Sequence, residues 1–337
     1  MKYDLKTLLI SAGDQKKIFS NRLNDAIRIV ENSLIKRANG EVLLPDKISV
    51  VFDENTQSRI NCMPSALLED KLYGVKWIAV FPQNPKIGYR NVTGTIILTE
   101  LEYGHTLSVM DAGYLTELRT AAVGAVAAKY LSKADSESVG FIGAGCQAKR
   151  HLDLLKEVRP KLKKCYVSSR TEETVNRFIA EESVIHSDME FISCGHDYEK
   201  AVRDADIIVT AISGQEDLLK ADWIKKGTLY IHVAGWEDEY AVALKADKII
   251  CDDWESIKHR TQTISRMYQE GLLVDSDIYG NLEEIVLGKK AARTSKQEFI
   301  YFCSVGLAFI DISFANYTFK KCSELGLGCN YSFLESN

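Results

Sequence analysis

The ten residues GFIGAGCQAK, numbered 140–149, decide the fold prediction for this chain of 337 residues. An apolar stretch typical of a strand ends at 142, and a polar stretch typical of a helix begins at 147. Small residues stand at Gly143, Gly145 and Ala148, in the pattern G-x-G-x-x-[GA]. The first permits a tight turn, the second lets a pyrophosphate approach the backbone, and the third lets helix and strand pack closely. By itself the pattern also fits a tight turn without a ligand, so the flanking sequence has to decide.

The sequence after this loop alternates between short apolar segments and amphipathic ones. The predicted strands are 138–142, 164–168, 189–193, 206–211, 228–233 and 247–251. The predicted helices are 147–157, 171–182, 197–203 and 221–225. Such alternation is typical of a parallel sheet built from strand–helix–strand units, so the context favours a dinucleotide-binding loop. Beyond 255 we expect mainly helix, ending in a long helix within 304–326.

The first hundred residues follow another pattern, an opening helix and then strands. Apolar residues recur at three- to five-residue spacing across 15–37, which predicts one amphipathic helix. The segments 41–53 and 74–82 are rich in β-branched and aromatic residues and predict strands. A hairpin is predicted to pair 95–98 with 107–110.

The two patterns meet at an alanine-rich helix that begins at Leu115 and leads to the glycine loop. We therefore predict an α/β protein with two domains. Residues 1–117 form a smaller α+β domain, onto which a C-terminal helix in 306–337 packs back. Residues 118–305 form a Rossmann domain with a doubly wound parallel sheet.

Composition limits the classes of partner. The formal charge is −5, from 42 basic and 47 acidic residues, and like charges do not cluster in runs, so neither nucleic acid nor a membrane is expected as a partner. The eight cysteines form no C-x-x-C pair and the six histidines do not join them at metal-ligand spacing, so we expect reduced thiols and no metal. The N-terminal residues lack the apolar core of a signal peptide, and we expect a cytoplasmic protein that binds a small molecule.

The end of the second predicted strand bears on which dinucleotide binds. An enzyme that prefers NAD usually places an acidic residue there to accept from the ribose 2′-hydroxyl. This sequence has Ser168, Ser169, Arg170 and Thr171 instead, and a guanidinium flanked by hydroxyls suits a 2′-phosphate. We therefore predict NAD(P), with NADP favoured over NAD. Alternatively, Arg170 is a solvated residue or stacks on the adenine of NAD.

The motifs ELRTAAVGAVAAKYL, VGFIGAGCQAKRHLDLL, GVKW, CMPS and SVGLAFID together resemble the ornithine cyclodeaminase/μ-crystallin family, over about 40–328. This resemblance implies hydride transfer at the Cα of an amino acid, through an imine held against a nicotinamide. Within the family, GVKWI, Arg90 and the segment 245–271 are most similar to the dehydrogenases that release 2,3-diaminopropionate and 2-oxoglutarate in siderophore biosynthesis.

The resemblance also implies roles for individual residues. Lys76 matches the family lysine that acts as acid/base on the substrate nitrogen, and burial between apolar neighbours would lower its pKa towards neutrality; otherwise it is a lysine at a strand edge. Glu237 stands where most members have an aspartate, with Asp238 as the fallback acid/base. Lys47, Arg90 and Arg119 are candidates to hold substrate carboxylates, although Lys47 replaces a family arginine and Arg90 also suits a surface salt bridge.

Cofactor contacts are expected at the loops that follow the predicted strands. The candidate residues are Thr120, Gly143, Gly145, Cys146, Gln147, Ala148, Ser168, Ser169, Arg170, Thr171, Thr210, Ala211, Ser213, Val233, Ala234, Gly235, Ser304 and Gly306. Cys146 is expected to contribute its backbone N–H and no catalytic thiol. The pair Asp252 and Asp253 is interpreted as a strand-end cap and not as a metal site.

Four functions remain open from the sequence. The first is a dehydrogenase at a Cα–N bond, and the second is an imine reductase that uses NADPH. The third is a cyclodeaminase-type lyase that borrows hydride and returns it. The fourth is a non-catalytic binding protein like μ-crystallin. The resemblance also implies a homodimer built through the sheet of the first domain, which would be the substrate-binding and dimerisation domain.

Overall fold

The computed structural model describes residues 6–53, 55–212, 215–233 and 235–332. Two compact units are present: Met1–Arg119 with Leu307–Asn337, called unit 1, and Thr120–Gly306, called unit 2. Within the described residues, no helix has both the length and the apolar character needed to span a bilayer. All eight cysteines are free thiols.

The first part of the chain is mostly strand. Its strands are β1 (Lys6–Ile10), β2 (Val42–Leu43), β3 (Ile48–Asp53), β4 (Ser58–Leu67), β5 (Leu72–Val80), β6 (Val92–Glu100) and β7 (Thr106–Asp111). Its helices are α1 (Ala12–Phe19), α2 (Leu23–Ala38) and α3 (Gly113–Leu131), and a 3₁₀ turn covers Asn84–Ile87. Helix α3 belongs to unit 1 up to Arg119 and to unit 2 from Thr120.

Strands and helices alternate from 138 to 303. The strands are β8 (Ser138–Ile142), β9 (Lys164–Ser168), β10 (Glu190–Gly195), β11 (Ile207–Thr210), β12 (Gln215–Leu219), β13 (Leu229–His232), β14 (Trp236–Asp238), β15 (Lys248–Cys251), β16 (Ile278–Asn281) and β17 (Ile300–Cys303). The helices are α4 (Cys146–Val158), α5 (Glu172–Ile185), α6 (Tyr198–Val202), α7 (Tyr240–Lys245), α8 (Trp254–Ile257), α9 (Thr263–Gln269) and α10 (Leu282–Val286). Helix α11 (Ala308–Leu325) and strand β18 (Cys329–Ser332) follow and belong to unit 1.

The sheet of unit 1 has the order β18-β1-β7-β6-β5-β4-β2, with β3 also paired to β4. All its pairs are antiparallel except β1 with β7. Helix α11 packs against β4, β5 and α2. The approach to β5 is close, because a β-carbon at Gly74 would lie 2.6 Å from Ile312 Cδ1. Side chains alternate along β5, so Leu72, Lys76 and Ile78 are buried while Tyr73 and Trp77 are exposed.

The main sheet of unit 2 has eight parallel strands in the order β10-β9-β8-β11-β13-β17-β15-β16. From β8 the chain first builds outward through β9 to β10 on one side and then continues with β11 and β13 on the other, which makes the β8–β11 boundary the topological switch point. In such sheets ligands bind beyond the carboxyl ends of the strands at this point. The glycine loop directly follows β8, so the predicted doubly wound Rossmann sheet is present and the loop lies at its switch point.

Three predicted elements were wrong. The helix over 15–37 is two helices, because the backbone leaves helical geometry at Arg22 (φ −139°); the five-residue step from Ile18 to Leu23 does not keep one helix face. The helix at 221–225 is only a 3₁₀ turn over Ala221–Trp223.

The third error concerns the mainly helical region beyond 255. Strand β17 lies there, between β13 and β15, so it completes the centre of the sheet. Its sequence, IYFC, is fully buried and rich in aromatic and β-branched residues, as is typical of a central strand. The sequence analysis also did not identify β1, β4, β12, β14, β16 and β18.

Candidate active site

The glycine loop is held between two strand ends of unit 2. Gly143 has φ +104°, and a β-carbon there would lie 2.7 Å from the carbonyl oxygen of Ala211. Its N–H donates to the carbonyl of Ser168 at 2.9 Å, and the N–H of Ala211 donates to the carbonyl of Ile142 at 3.0 Å. Only glycine fits this position, and the loops after β8, β9 and β11 are fixed side by side.

The N-terminus of α4 fits a pyrophosphate. Gly145 is its N-cap and supplies no side-chain hydrogen bond to the first turn. A β-carbon at Gly145 would meet nothing within 4 Å, so the backbone faces open space. Cys146 is exposed and Gln147 half-buried, whereas Ala148 is fully buried and allows close packing. The first-turn N–H groups and the partial positive charge at the N-terminus of this 13-residue helix are suited to phosphate oxygens.

The four residues after β9 differ in availability. The Ser168 hydroxyl is buried and donates to the carbonyl of Phe141 at 3.0 Å. The Thr171 hydroxyl caps α5 by accepting from the N–H of Thr174. Arg170 is exposed, and its guanidinium has no hydrogen bond or ion pair to any described residue. Ser169 and Arg170 are therefore the two side chains here that remain able to meet a ligand.

The other predicted cofactor contacts lie at the carboxyl ends of the same sheet. Ala211 follows β11, Val233 and Gly235 follow β13, and Ser304 and Gly306 follow β17; Thr120 is half-buried in α3. Ser213 and Ala234 lie outside the described residues.

The Ser304 hydroxyl and the N–H groups of Val305 and Gly306 all donate to Asp252 Oδ2 at 2.9 Å. Asp252 thus fixes the loop after β17, as predicted for a strand-end cap.

Two neighbouring acidic residues of β14 enter a buried network in unit 2. Glu237 and Asp238 are both fully buried. Glu237 Oε1 accepts from the N–H of Ile212 at 3.0 Å, and Glu237 Oε2 accepts from the hydroxyl of Thr210. Thr210 Oγ1 lies 2.9 Å from Tyr230 Oη, which lies 3.3 Å from Asp238 Oδ1. Hydroxyl groups therefore connect the two carboxyl groups.

Asp238 is also held from the neighbouring elements. The hydroxyls of Thr263 and Tyr301 donate to Asp238 Oδ1 at 2.7 and 3.2 Å. Burial raises the pKa of Asp238 to about 8, against the opposing effect of these hydrogen bonds, and Glu237 adds to the rise. Burial also lowers the pKa of His232, whose Nε2 lies 3.5 Å from Asp238 Oδ1, to about 4. At neutral pH Asp238 therefore carries its proton and His232 is uncharged.

A second buried cluster lies in unit 1. Lys76 Nζ lies 2.7 Å from Asp311 Oδ2, and Arg119 Nε donates to Asp311 Oδ1 at 2.9 Å. Lys76 is 1% exposed, Arg119 6% and Asp311 0%. The alternation of β5 turns Lys76 towards α11, and Asp311 lies in the first turn of that helix. We call these three residues the Lys76 cluster.

The charges of the Lys76 cluster set its chemistry. Burial lowers the pKa of Lys76 from 10.5 to about 8; Arg119 lowers it further and Asp311 partly opposes both. With Lys76 protonated, the cluster holds two cations and one anion, an excess of one positive charge. Such a site favours an anionic group and has a lysine that gives or takes a proton near neutral pH.

The other two predicted substrate residues, Arg90 and Lys47, lie on different loops of unit 1. Arg90 is exposed just before β6, and a β-carbon at Gly113 would lie 3.7 Å from its Nη1, so its guanidinium lies near the start of α3. Lys47 is half-buried between β2 and β3. Arg119 is the predicted carboxylate ligand that pairs directly with Asp311 beside Lys76.

Sequence reasoning missed Asp311, Tyr230 and Tyr301. One signal was present for Asp311: it is a lone acid between Ile310 and Ile312 on the apolar face of a helix, where an acid requires a cationic partner. No sequence signal joins Tyr230 and Tyr301 to Asp238, because the three lie on different strands.

The parallel strand order and the glycine loop at its switch point define unit 2 as a Rossmann-type dinucleotide-binding fold. The whole chain belongs to the ornithine cyclodeaminase/mu-crystallin family, whose family model matches residues 15–325. The chain is 30% identical over 332 residues to a Delta(1)-pyrroline-2-carboxylate reductase of Bacillus cereus, with 97% of this chain and 100% of the relative covered.

Two solved structures are similar over almost the full length. Thermococcus litoralis Delta(1)-pyrroline-2-carboxylate reductase, in complex with NADH and L-proline, has a TM-score of 0.91 and 30% identity, covering 96% of this chain and 100% of that one. An archaeal alanine dehydrogenase dimer with bound NAD has a TM-score of 0.87 and 27% identity, covering 98% and 100%. Family members are thus NAD(P)-dependent dehydrogenases and reductases of amino and imino acids.

The chain is also similar to a dehydrogenase of the type that its motifs resemble within the family. The chain is 26% identical over 326 residues to the N-((2S)-2-amino-2-carboxyethyl)-L-glutamate dehydrogenase of Staphylococcus aureus, covering 95% of this chain and 97% of the relative. This identity is lower than the 30% found with the B. cereus reductase. The similarity to both relatives supports an oxidoreductase that acts on an amino or imino acid.

Proposed function

We propose that this protein is an NAD(P)-dependent oxidoreductase acting at the Cα–N bond of an amino or imino acid. The observation that carries the proposal is the buried Lys76 cluster, with a lysine whose pKa is about 8 and an excess positive charge. A substrate carboxylate would pair with Arg119, and Lys76 would exchange a proton with the substrate nitrogen. A bound nicotinamide would supply the other half of the reaction, by accepting or returning hydride.

The cofactor would be held by unit 2. The turn at Gly143 and the first turn of α4 would bind the pyrophosphate through backbone N–H groups. The loops that follow β11, β13 and β17 would contact the ribose and the nicotinamide. Glu237 would act as a second acid/base group, held by Thr210 and Ile212 so that its carboxyl group needs little reorganisation.

For the substrate we propose a secondary amine with several carboxylates, whose oxidation to an imine and hydrolysis of that imine by water release 2,3-diaminopropionate and 2-oxoglutarate. The S. aureus relative and the exposed guanidinium of Arg90, available for a further carboxylate, support this substrate. A second candidate is reduction of a cyclic imino acid, which the 30% identity and TM-score of 0.91 with the T. litoralis reductase favour.

One assay tests these proposals against the remaining functions. The protein is mixed with each candidate substrate and with NAD or NADP, and reduced nicotinamide and ammonia are followed. Net NADH or NADPH with 2-oxoglutarate supports the dehydrogenase, and consumption of reduced cofactor with a cyclic imino acid supports the reductase. Ammonia and proline from ornithine without net reduced cofactor would mean a lyase. Nucleotide binding without turnover of any substrate would mean a binding protein.

The choice of cofactor depends on Arg170, which we propose binds the 2′-phosphate of NADP. Arg170→Ala should weaken NADP by about tenfold or more and NAD much less, since a charge-assisted pair with phosphate contributes about 1.5 to 3 kcal/mol. Titration of each nucleotide against both proteins measures this. Arg177→Ala, at an exposed arginine of α5, is the matched control. Equal weakening of both nucleotides, or none, would contradict a phosphate contact.

We propose that unit 1 forms a homodimer through its sheet. Supporting this, β3 exposes Ile48, Val50 and Phe52, and the outer face of β5 exposes Tyr73 and Trp77. Exposed apolar side chains grouped on the strands of one sheet are typical of an interface. The similar alanine dehydrogenase is a dimer.

Val50→Glu should weaken the dimer at least about tenfold, a cost of about 1.4 kcal/mol. Light scattering across a dilution series measures it. Leu244→Glu makes the same change at an exposed leucine of α7 in unit 2 and should leave the dimer intact. Equal effects of the two substitutions, or a monomeric wild type, would contradict the proposed interface.

A further inference from the structure

The buried network of unit 2 contains more polar groups than an acid/base residue needs. Glu237, Thr210, Tyr230 and Asp238 are all 0% exposed. Their oxygens form a continuous series: Glu237 Oε2 to Thr210 Oγ1, then 2.9 Å to Tyr230 Oη, then 3.3 Å to Asp238 Oδ1. Buried polar groups of this kind contribute little net stability even when they are hydrogen-bonded, because an apolar core would fill the same space at lower cost, so a purely structural purpose is a poor explanation.

Resting on the proposed role of Glu237, we infer that Asp238, Tyr230 and Thr210 form a proton relay that supplies and recovers the proton exchanged by Glu237. The two intermediate groups are hydroxyls, each able to accept one proton and donate another. The relay ends at a carboxyl group that has no direct access to solvent. Asp238 is therefore a proton store for the site.

The relay involves only proton transfers, and no residue in it is oxidised or reduced. Reduction of a neutral imine to an ammonium group takes up one hydride and two protons. Lys76 supplies one proton, and the second comes from Glu237, whose O–H bond breaks as an N–H bond forms on the substrate. Thr210 then gives its proton to Glu237, Tyr230 gives its proton to Thr210, and Asp238 gives its proton to Tyr230. Asp238 becomes a carboxylate and both hydroxyls are restored. Once the product has left, a proton from water reaches Glu237 through the emptied substrate site and passes back along the same series, so Asp238 is protonated again before the next turnover. In amine oxidation the same transfers run in reverse, once Asp238 is ionised.

The surroundings keep the stored proton on Asp238 at rest. The titratable groups that face Asp238 are Glu237 on its own strand, Tyr230 and His232 on β13, and Tyr301 and Cys303 on β17; Thr263 of α9 adds a hydroxyl. None is a cation at neutral pH, since burial keeps His232 neutral. Ionisation of Asp238 in these buried surroundings is therefore unfavourable.

Two tyrosines allow a matched test. Both hydroxyls contact Asp238 Oδ1, at 3.3 Å from Tyr230 and 3.2 Å from Tyr301, but only Tyr230 continues to Thr210. Tyr230→Phe should lower kcat for imine reduction about tenfold or more, with little change in KM and in nucleotide affinity. Tyr301→Phe removes a hydroxyl that contacts Asp238 outside the series, so it should lower kcat much less than Tyr230→Phe does. Thr210→Ser keeps a hydroxyl and should retain most activity, whereas Thr210→Val should resemble Tyr230→Phe.

Kinetics in deuterium oxide show whether proton transfer along the relay limits kcat. The wild type should show a solvent isotope effect on kcat that involves more than one proton, and Tyr230→Phe should change the number of protons while Tyr301→Phe should not. Equal loss of kcat in the two phenylalanine variants would indicate that Asp238 needs its hydrogen bonds only for structure. That result, or full activity of Tyr230→Phe, would overturn the relay.

An infrared measurement separates this inference from the proposed function. At neutral pH a protonated buried carboxyl group gives a carbonyl stretch distinct from the carboxylate bands, and it should be lost in Asp238→Asn and kept in Tyr301→Phe. Absence of this band from the wild type overturns the relay whether or not the protein is an enzyme. If the band is present but no amino or imino acid is turned over, the proposed function fails while the proton store stands.

Discussion

Lys76→Met should lower turnover at least about a hundredfold while nucleotide affinity stays within a few-fold of wild type. General acid/base groups contribute about 10² to 10⁴ in rate, and methionine fills the space of the lysine without a proton to exchange. The substitution leaves Arg119 paired with Asp311, so the remaining cluster is one cation and one anion and the fold should be kept. Because the pKa of Lys76 is about 8, kcat/KM of the wild type should change through an ionisation near that pH.

Steady-state kinetics and nucleotide titration on purified Lys76→Met check this expectation. Lys86→Met is the control, since Lys86 is an exposed lysine of the same unit and its loss should leave kinetics unchanged. Turnover of Lys76→Met within a few-fold of wild type would remove Lys76 from the mechanism. Loss of both turnover and nucleotide binding would indicate a structural defect.

Asp311→Asn should have the largest effect on stability. It leaves Lys76 and Arg119 as two buried cations without a counterion, and breaking a buried ion pair in this way typically costs about 3 to 5 kcal/mol. Asp311 raises the pKa of Lys76, so its neutralisation should lower that pKa below about 8. The ionisation seen in kcat/KM should therefore move to lower pH.

Urea unfolding and a pH–rate profile of Asp311→Asn measure the two effects. Glu324→Gln is the control on the same helix, since Glu324 pairs with Lys321 at the surface, where such pairs contribute about 0 to 1 kcal/mol. Asp311→Glu keeps the negative charge, so the ionisation in its pH–rate profile should stay close to that of the wild type. Unfolding of Asp311→Asn at the wild-type urea concentration would contradict the charge balance proposed for the Lys76 cluster.

Local pattern was sufficient to predict the centre of unit 2. Strands β8 and β9 have the predicted bounds, because each is a short apolar run between turn-forming or polar residues. The glycine spacing likewise predicted a helix after the loop, and that helix begins at Cys146, one residue before the predicted start. Strand β17 was missed because periodicity in a short apolar run does not separate a buried strand from a buried helix.

In the candidate site, too, some residues could be predicted from the sequence while their contacts could not. Lys76 was identified through the resemblance of GVKW to the family, and its apolar neighbours on a predicted strand indicated burial. Its environment could not be predicted, because Asp311 follows Arg119 by 192 positions and meets it only when α11 returns to the sheet of unit 1. The Asp238 network depends in addition on the parallel register of β13 and β17, which sets Tyr230 beside Tyr301 so that both hydroxyls meet the Asp238 carboxyl group.

We propose that the protein moves hydride between the Cα of an amino or imino acid and a nicotinamide nucleotide that is then released. The most direct measurement follows deuterium from the Cα of a labelled substrate, with mass spectrometry of the nucleotide and of the carbon product. We expect the deuterium to appear in released NADH or NADPH, and none of it in the product of oxidation. Deuterium returned to the product with no labelled nucleotide released would mean that hydride is only borrowed, and would contradict the oxidoreductase.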